Sequence, residues 1–168
     1  MPDPTLRTAS PADLDAVMAM ERGPGYEAYV GRSSRAEHEA MLADARYAYL
    51  IGGKAAFAIV RDVEDVHGNV YLKRIAVARP GEGEGARFLA RVLDWTFARA
   101  APHRFYLDCF DDNFRAQSMY SKLGFTRDGV LREAYLDPTG RRRTLVLMAL
   151  TRNEWAQRAS RSSTSNAP

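Results

Sequence analysis

The pattern of hydrophobic and polar positions along the chain predicts seven strands and four helices. Short runs rich in β-branched and aromatic residues indicate strands around Leu6 and at residues 47–51, 55–60, 70–77, 104–108, 130–136 and 144–150. Apolar residues three and four positions apart predict helices that begin at or just after Ser10, Ser34, Gly85 and Asn113. The predicted order of elements is therefore β-α-α-β-β-β-α-β-α-β-β.

Turn sequences between these elements predict how the strands pair. Gly52-Gly53 and residues 137–140 are typical of hairpin turns, so the strands on either side of each are expected to run antiparallel. Residues 70–108 read as strand, helix, strand, which is typical of a crossover between two parallel strands. We predict a single α+β domain over residues 1–159. The polar segment 160–168 is expected to be a disordered tail.

Composition narrows the class of protein without identifying a chemistry. With 168 residues, 46% of them hydrophobic and 27% charged, the chain resembles one ordinary globular domain. Its first residues lack the apolar run of a signal peptide, and no stretch approaches the about 18 apolar residues of a membrane span. Cys109 is a lone cysteine, which rules out a disulfide within the chain and suits a reducing cytosol. We expect a cytoplasmic protein with no membrane partner.

The net charge argues against nucleic-acid binding, and the histidine spacing argues against metal binding. The formal net charge of +3 is too mild to indicate a nucleic-acid-binding surface. His38, His67 and His103 do not have the spacing of metal ligands, so no metal is expected.

A glycine-rich loop between the fourth strand and the third helix suggests a phosphate site. Three of the five residues from Gly81 to Gly85 are glycines, and they lead into a helix whose first N–H groups lack partners within the helix. Gly81, Gly83 and Ala86 also match the dinucleotide-binding fingerprint. We reject that alternative because the unit lies mid-chain, occurs once, and has Asp108 too far along for the ribose carboxylate.

Two stretches of the sequence indicate which phosphate-containing ligand the loop binds. Residues 72–89 resemble motif A of the GNAT superfamily of N-acetyltransferases, with Gly83 and Gly85 at the positions of its glycines. Residues 112–125 are similar to the family's Asn-x-x-Ala-x-x-x-Tyr-x-x-x-Gly-Phe signature, and residues 128–132 resemble the branch of the ribosomal-protein alanine acetyltransferases. The resemblance covers about residues 6–155.

The resemblance implies a fold and a cofactor site. It implies αβα layers around a mostly antiparallel sheet, with a splayed gap between the fourth and fifth strands that admits acetyl-CoA. Backbone groups of Ile75, Ala76 and Val77 are expected to pair with the pantetheine arm, and an N–H near Val77 to stabilise the oxyanion. The remaining expected cofactor contacts are Arg79, Gly81, Glu82, Gly83, Glu84, Gly85, Ala86, Asn113 and Tyr120.

The glycine loop departs from the family pattern in two ways. Pro80 stands where the family has Gln or Arg, and Arg79 is expected to supply the charge instead. Glu82 and Glu84 place two acids beside the expected pyrophosphate, at about 1 kcal/mol of repulsion per pair in a water-like medium. Both side chains are therefore expected to face away from the pyrophosphate.

The resemblance assigns one catalytic residue and leaves the general base open. Tyr120 is expected to protonate the departing thiolate, although its position on an apolar helix face also suits a core tyrosine. Asp108, Asp111 and Glu133 are alternative bases, and an amine that is already neutral needs none. Transfer through an acyl-cysteine at Cys109 is disfavoured because the family transfers the acyl group directly.

The acceptor is expected to be an amine, either a protein N-terminus or a small molecule. Residues 22–35 and the last hairpin should select it. Tyr26, Glu27 and Tyr29 either hold a cationic amine or pack against the domain. A non-catalytic acyl-CoA-binding module is the alternative function, and the protein is expected to be a monomer or a homodimer.

Overall fold

The structure is a computed structural model that describes residues 6–53 and 55–164. These residues form a seven-stranded sheet and five α-helices, with a single 3₁₀ turn at Pro11–Asp13 before the first helix. The strands are β1 (Leu6–Thr8), β2 (Tyr47–Gly52), β3 (Ala56–Arg61), β4 (Asn69–Val77), β5 (Arg104–Phe110), β6 (Thr126–Leu136) and β7 (Arg142–Thr151). The helices are α1 (Leu14–Glu21), α2 (Arg35–Ala43), α3 (Glu84–Phe97), α4 (Phe114–Lys122) and α5 (Arg152–Thr164).

The sheet has the order β1-β2-β3-β4-β5-β7-β6. Every neighbouring pair is antiparallel except β4 and β5, which are parallel and joined by α3, as the sequence predicts. The pairing of β4 with β5 covers three residues of each strand and ends at Tyr71 and Tyr106. Beyond that point β4 continues to Val77 and β5 to Phe110 without pairing to each other. The predicted splayed gap is therefore confirmed.

Helices cover both faces of the sheet, which gives the expected αβα layers. One core is closed by buried apolar residues of α3, namely Phe88, Leu89, Val92, Leu93 and Phe97. The core on the other face includes buried residues of α1, β2 and β3, namely Leu14, Val17, Tyr49, Phe57 and Ile59. Alternate residues of β3 enter opposite cores, as the two-residue repeat of a strand requires.

Local capping signals in the sequence are confirmed at two helices. At the start of α2, the Glu37 N–H donates to Ser34 Oγ at 3.3 Å and the Ser34 N–H donates to Glu37 Oε2 at 2.6 Å. At the start of α4, the Ala116 N–H donates to Asn113 Oδ1 at 3.2 Å. These bonds satisfy helical N–H groups that have no partner inside the helix.

Helix α5 is absent from the predicted order of elements. Its first residue is held by tertiary contacts, because the Arg152 guanidinium donates to the main-chain carbonyls of Phe97 and Arg99 at 2.5 Å each. A local apolar repeat in the sequence cannot predict these long-range hydrogen bonds of Arg152. The helix includes the first five residues of the segment for which the sequence predicts disorder, and residues 1–5 and 165–168 lie outside the described residues. None of the helices in the described part of the chain is long and apolar enough to span a membrane.

A buried ion cluster ties the segment between α1 and α2 to the sheet. Glu21 is fully buried at the end of α1, and Arg74 of β4 donates to its Oε2 at 2.6 Å. Three more groups donate to or contact Glu21 Oε1: the Arg22 guanidinium at 2.6 Å, the Ser33 N–H at 3.1 Å and His38 Nε2 at 3.2 Å. The cluster fixes both ends of the segment, at residues 22 and 33.

Replacing Arg74 by methionine should lower the free energy of unfolding by about 3 kcal/mol, because Glu21 stays buried while it loses a charged partner. Chemical denaturation measures this loss. Arg46→Met is the control: Arg46 pairs with Asp44 on the surface, where ion pairs contribute little, so its unfolding midpoint should not change measurably. Equal losses in the two variants would contradict a special role for the buried cluster.

Candidate active site

The glycine loop presents an uncapped helix N-terminus. Gly83 is the N-cap of α3 with φ 76°, and Gly81 has φ 111°, so both occupy backbone conformations that disfavour side chains. Among the described residues, no side chain caps this helix. The N–H groups of its first turn, from Glu84 to Ala86, are therefore available to an anion, and the helix dipole favours negative charge there.

Arginines approach this loop from two helices. A guanidinium nitrogen of Arg115 lies 3.7 Å from the point where a β-carbon on Gly81 would stand. Arg87 folds back over the loop and donates to the Glu82 carbonyl at 3.2 Å. Arg79, which is expected to provide the positive charge for the pyrophosphate, is exposed. The sequence analysis did not predict Arg115 as a contact of this loop. Its position two residues after the helix cap Asn113 is the feature that could have indicated it.

The two acids of the loop behave differently. Glu82 is exposed, as expected. Glu84 is half-buried, and its Oε2 is buried without a hydrogen-bond partner among the described residues. Glu84 therefore turns partly into the structure, and the expectation that both carboxylates face away from the pyrophosphate stays a prediction. An unpaired buried acceptor suits a ligand that brings N–H or O–H donors, as the pantetheine arm of coenzyme A does.

The backbone groups of Val77 at the gap are hydrogen-bonded to Tyr26, for which the sequence leaves two roles open. The Val77 N–H donates to Tyr26 Oη at 2.9 Å, and the Tyr26 hydroxyl donates to the Val77 carbonyl at 3.0 Å. Burial is the main cause that raises the pKa of Tyr26. Ile75, Ala76 and Val77 all lie in the part of β4 beyond its pairing with β5. Tyr26 thus packs against the domain, which is one of the two roles left open for it, and its hydroxyl enters the gap.

Tyr120 borders the same gap from α4. Its ring is 6% exposed and packs against Phe125, with the ring centroids 5.7 Å apart. Its hydroxyl makes no hydrogen bond to any described residue. Burial, followed by the nearby Cys109, Asp108 and Tyr26, raises the pKa of Tyr120, so the phenol stays protonated at neutral pH. Tyr120 is both a packed residue and a protonated donor beside the gap.

Cys109 is a poor nucleophile in this setting. Burial, with a smaller contribution from Asp108, raises the pKa of the thiol to about 11. The thiolate is the reactive form of cysteine, and at neutral pH it is scarce here. This agrees with direct transfer rather than transfer through an acyl-cysteine.

Of the three acids considered as the base, Asp108 lies where β4 and β5 separate. The Tyr71 hydroxyl donates to Asp108 Oδ2 at 2.9 Å and so links the two strands just beyond their last paired residues. Asp111 is exposed after the end of β5. Glu133 is exposed in an irregular part of β6 and has φ 52°. The geometry brings Asp108, and not the other two, to the gap.

The two regions expected to select the acceptor meet beside this site. Arg143 of β7 donates to the Ala28 carbonyl at 2.8 Å and to Asp112 at 2.8 Å. Its guanidinium stacks over the ring of Phe110, with 3.6 Å between its central carbon and the ring centroid, and lies 5.8 Å from the ring of Tyr29. Glu27 is exposed, and its Oε2 accepts from the Gly25 N–H at 2.8 Å. Tyr29 thus packs beside Arg143, while Glu27 remains accessible.

Within residues 6–53 and 55–164, no group of three or more His, Cys, Asp or Glu side chains is arranged to hold a metal ion. The absence of a metal remains a prediction.

Comparisons with known proteins agree with this geometry. The sequence model of the acetyltransferase (GNAT) family matches residues 15–125. A ribosomal-protein-S18-alanine N-acetyltransferase from Escherichia coli is 26% identical, with 88% of this chain and 92% of that chain covered and a TM-score of 0.70. A spermidine N-acetyltransferase from Vibrio cholerae, solved with CoA and spermine, is 20% identical, with 90% and 97% covered and a TM-score of 0.77. A sequence search of curated proteins finds no match.

The fold and the family match together define the class of protein, an acetyl-CoA-dependent acyltransferase. The chain belongs to the acetyltransferase (GNAT) family, since the family model matches most of it. It is therefore an N-acetyltransferase that uses acetyl-CoA, which confirms the predicted family, fold and reaction class.

The reaction of Cys109 with iodoacetamide should rise about tenfold per pH unit and level off only near pH 11, because only the thiolate reacts. The protein unfolded in denaturant provides the control, whose rate should level off near the ordinary cysteine pKa of about 8.5. Mass spectrometry after timed quenching measures both. A plateau at or below pH 9 in the folded protein would contradict the burial of this thiol.

Proposed function

We propose that the enzyme acetylates a primary amine in the gap between β4 and β5. The observation that carries the proposal is the gap itself. The two strands separate after Tyr71 and Tyr106, and the uncapped first turn of α3 and the protonated Tyr120 both border the space between them.

The chain supplies two sets of contacts for acetyl-CoA. Backbone groups of Ile75, Ala76 and Val77 pair with the pantetheine arm in the manner of an added strand. The amides of the loop bind the pyrophosphate, together with Arg115, and Arg79 is a second cation within the same loop. The loop residues in this set are Gly81, Glu82, Gly83, Glu84, Gly85 and Ala86. Asn113 contacts the arm while it caps α4.

Tyr120 is the proposed general acid. Expulsion of a thiolate is easier when a proton arrives as the carbon–sulfur bond breaks. The raised pKa of Tyr120 keeps its proton in place at neutral pH, and no described residue competes for that hydrogen. An N–H near Val77 is the proposed donor to the oxyanion.

Asp108 is the proposed general base. An ammonium group must lose a proton before it can attack a thioester. Asp108 Oδ2 is held by the Tyr71 hydroxyl, whereas its Oδ1 makes no hydrogen bond to any described residue. The free oxygen can accept a proton from the amine directly or through one water.

The acceptor is an amine on a protein N-terminus or on a small molecule. The Escherichia coli neighbour is named for an alanine of ribosomal protein S18 and the Vibrio cholerae neighbour for spermidine. Residues 22–35 and the β6–β7 hairpin meet through Arg143 and Ala28, so acceptor selection is assigned to that junction. We further propose a cytoplasmic location, no nucleic-acid or membrane partner, and a monomer or homodimer.

A thiol-release assay with acetyl-CoA tests the proposal against a panel that contains spermidine and peptides with free N-termini. Turnover on at least one amine is expected. Binding of acetyl-CoA without turnover on any amine would favour a non-catalytic acyl-CoA-binding module instead.

Tyr120→Phe should lower kcat by roughly 10²-fold, because the variant removes the proposed acid and keeps the packed ring. The affinity for CoA should change little. Steady-state thiol release and calorimetry measure the two quantities. Tyr47→Phe, at the start of β2, is the control and should keep full activity. A Tyr120→Phe variant with normal kcat would exclude the acid role.

Asp108→Asn should reduce kcat/KM strongly at neutral pH and progressively less as the pH approaches the pKa of the acceptor amine, where the amine is already neutral; that pKa is about 10 for an alkylamine and about 8 for a peptide N-terminus. The measurement is a pH profile of kcat/KM for wild type and variant with one acceptor. A loss that is the same at every pH would indicate a structural role for Asp108 and contradict its role as base.

A further inference from the structure

The hydroxyl of Tyr26 lies on the backbone that the proposed function assigns to the cofactor. It accepts from the Val77 N–H at 2.9 Å and donates to the Val77 carbonyl at 3.0 Å. One hydroxyl thus offers Val77 the same pair of groups, an acceptor and a donor, that an amide of the pantetheine arm offers. The Val77 N–H carries one hydrogen, so Tyr26 and a pantetheine amide compete for it.

The segment that carries Tyr26 is held at its ends and lightly attached between them. The buried Glu21 cluster fixes residues 22 and 33. Between these points lie Gly23, Pro24 and Gly25, and Gly25 has φ 86° with no atom within 4 Å of the place for a β-carbon. Among the described residues, the other hydrogen bond that ties the middle of the segment to the rest of the protein runs from Arg143 to the Ala28 carbonyl, and the rings of Tyr26 and Tyr29 add packing contacts. Tyr26 can therefore leave Val77 without disturbing the anchored ends.

Among the described residues, the Tyr26 hydroxyl forms hydrogen bonds with Val77 alone. Both of its hydrogen bonds are made to Val77, and its nearest charged groups include Arg115 and Glu84 of the glycine loop region. Arg115 lies beside Gly81, and Glu84 has a buried oxygen without a hydrogen-bond partner among the described residues. Tyr26 thus lies near the glycine loop to which the proposed function assigns the pyrophosphate.

We propose that Tyr26 closes the gap of the free enzyme, and that the pantetheine arm of coenzyme A displaces it and releases residues 23–30. This inference rests on the proposed function, because it takes β4 as the cofactor edge. It makes the affinity for CoA depend on the fraction of enzyme in which Tyr26 has left Val77.

Calorimetry with CoA tests the competition. Tyr26→Phe should bind CoA about three- to tenfold more tightly than wild type, since the phenyl ring makes neither hydrogen bond to Val77. Tyr29→Phe is the matched control, because the Tyr29 hydroxyl makes no hydrogen bond to any described residue, and its CoA affinity should equal that of wild type. Equal or weaker binding by Tyr26→Phe overturns the proposal.

Amide hydrogen exchange at Val77, followed by NMR, tests the contact between Tyr26 and Val77 independently of the affinity for CoA. The Val77 amide should be protected in the free wild type, exchange faster in free Tyr26→Phe, and be protected in both once CoA is bound. Slow exchange in free Tyr26→Phe overturns the proposal. If neither protein binds CoA, the proposed function fails and the inference fails with it; if both bind equally, the inference fails alone.

Discussion

The end of pairing between β4 and β5 is the constraint on which the rest of this structure depends. After three parallel pairs the strands separate, so β4 continues with backbone groups on one edge that have no neighbouring strand. Backbone N–H and C=O groups that leave water need partners. In the free protein Tyr26 provides both partners to Val77. The amides of the proposed thioester cofactor would take the same positions.

Burial around this gap holds protons on two of the side chains that line it. Burial keeps the proton on Tyr120 and on Cys109, which preserves one as a donor and prevents the other from acting as a nucleophile. Asp108 remains within reach of water and is oriented by Tyr71. In the glycine loop region, Glu84 Oε2 is buried without a hydrogen-bond partner among the described residues, which distinguishes this loop from one that simply attracts phosphate.

The buried cluster around Glu21 serves a different purpose from the site it adjoins. Glu21 is fully buried, and two arginines and the Ser33 amide donate to its oxygens, which offsets part of the cost of burying the charge. Its effect is to fix both ends of the segment 22–33 against β4, through Arg74. The middle of that segment contains two glycines and a proline, and it carries Tyr26, whose hydroxyl contacts Val77.

The sequence by itself determined the family, the order of nearly all elements, the parallel crossover and the helix caps at Ser34 and Asn113. Those features depend on residues close together in the chain: apolar repeats, glycines and capping side chains. Helix α5, the inward turn of Glu84 and the nearness of Arg115 to Gly81 were decided only by the tertiary structure. So was the contact between Tyr26 and Val77, because it joins residues 51 positions apart and no local pattern records which side chain will reach an unpaired strand edge.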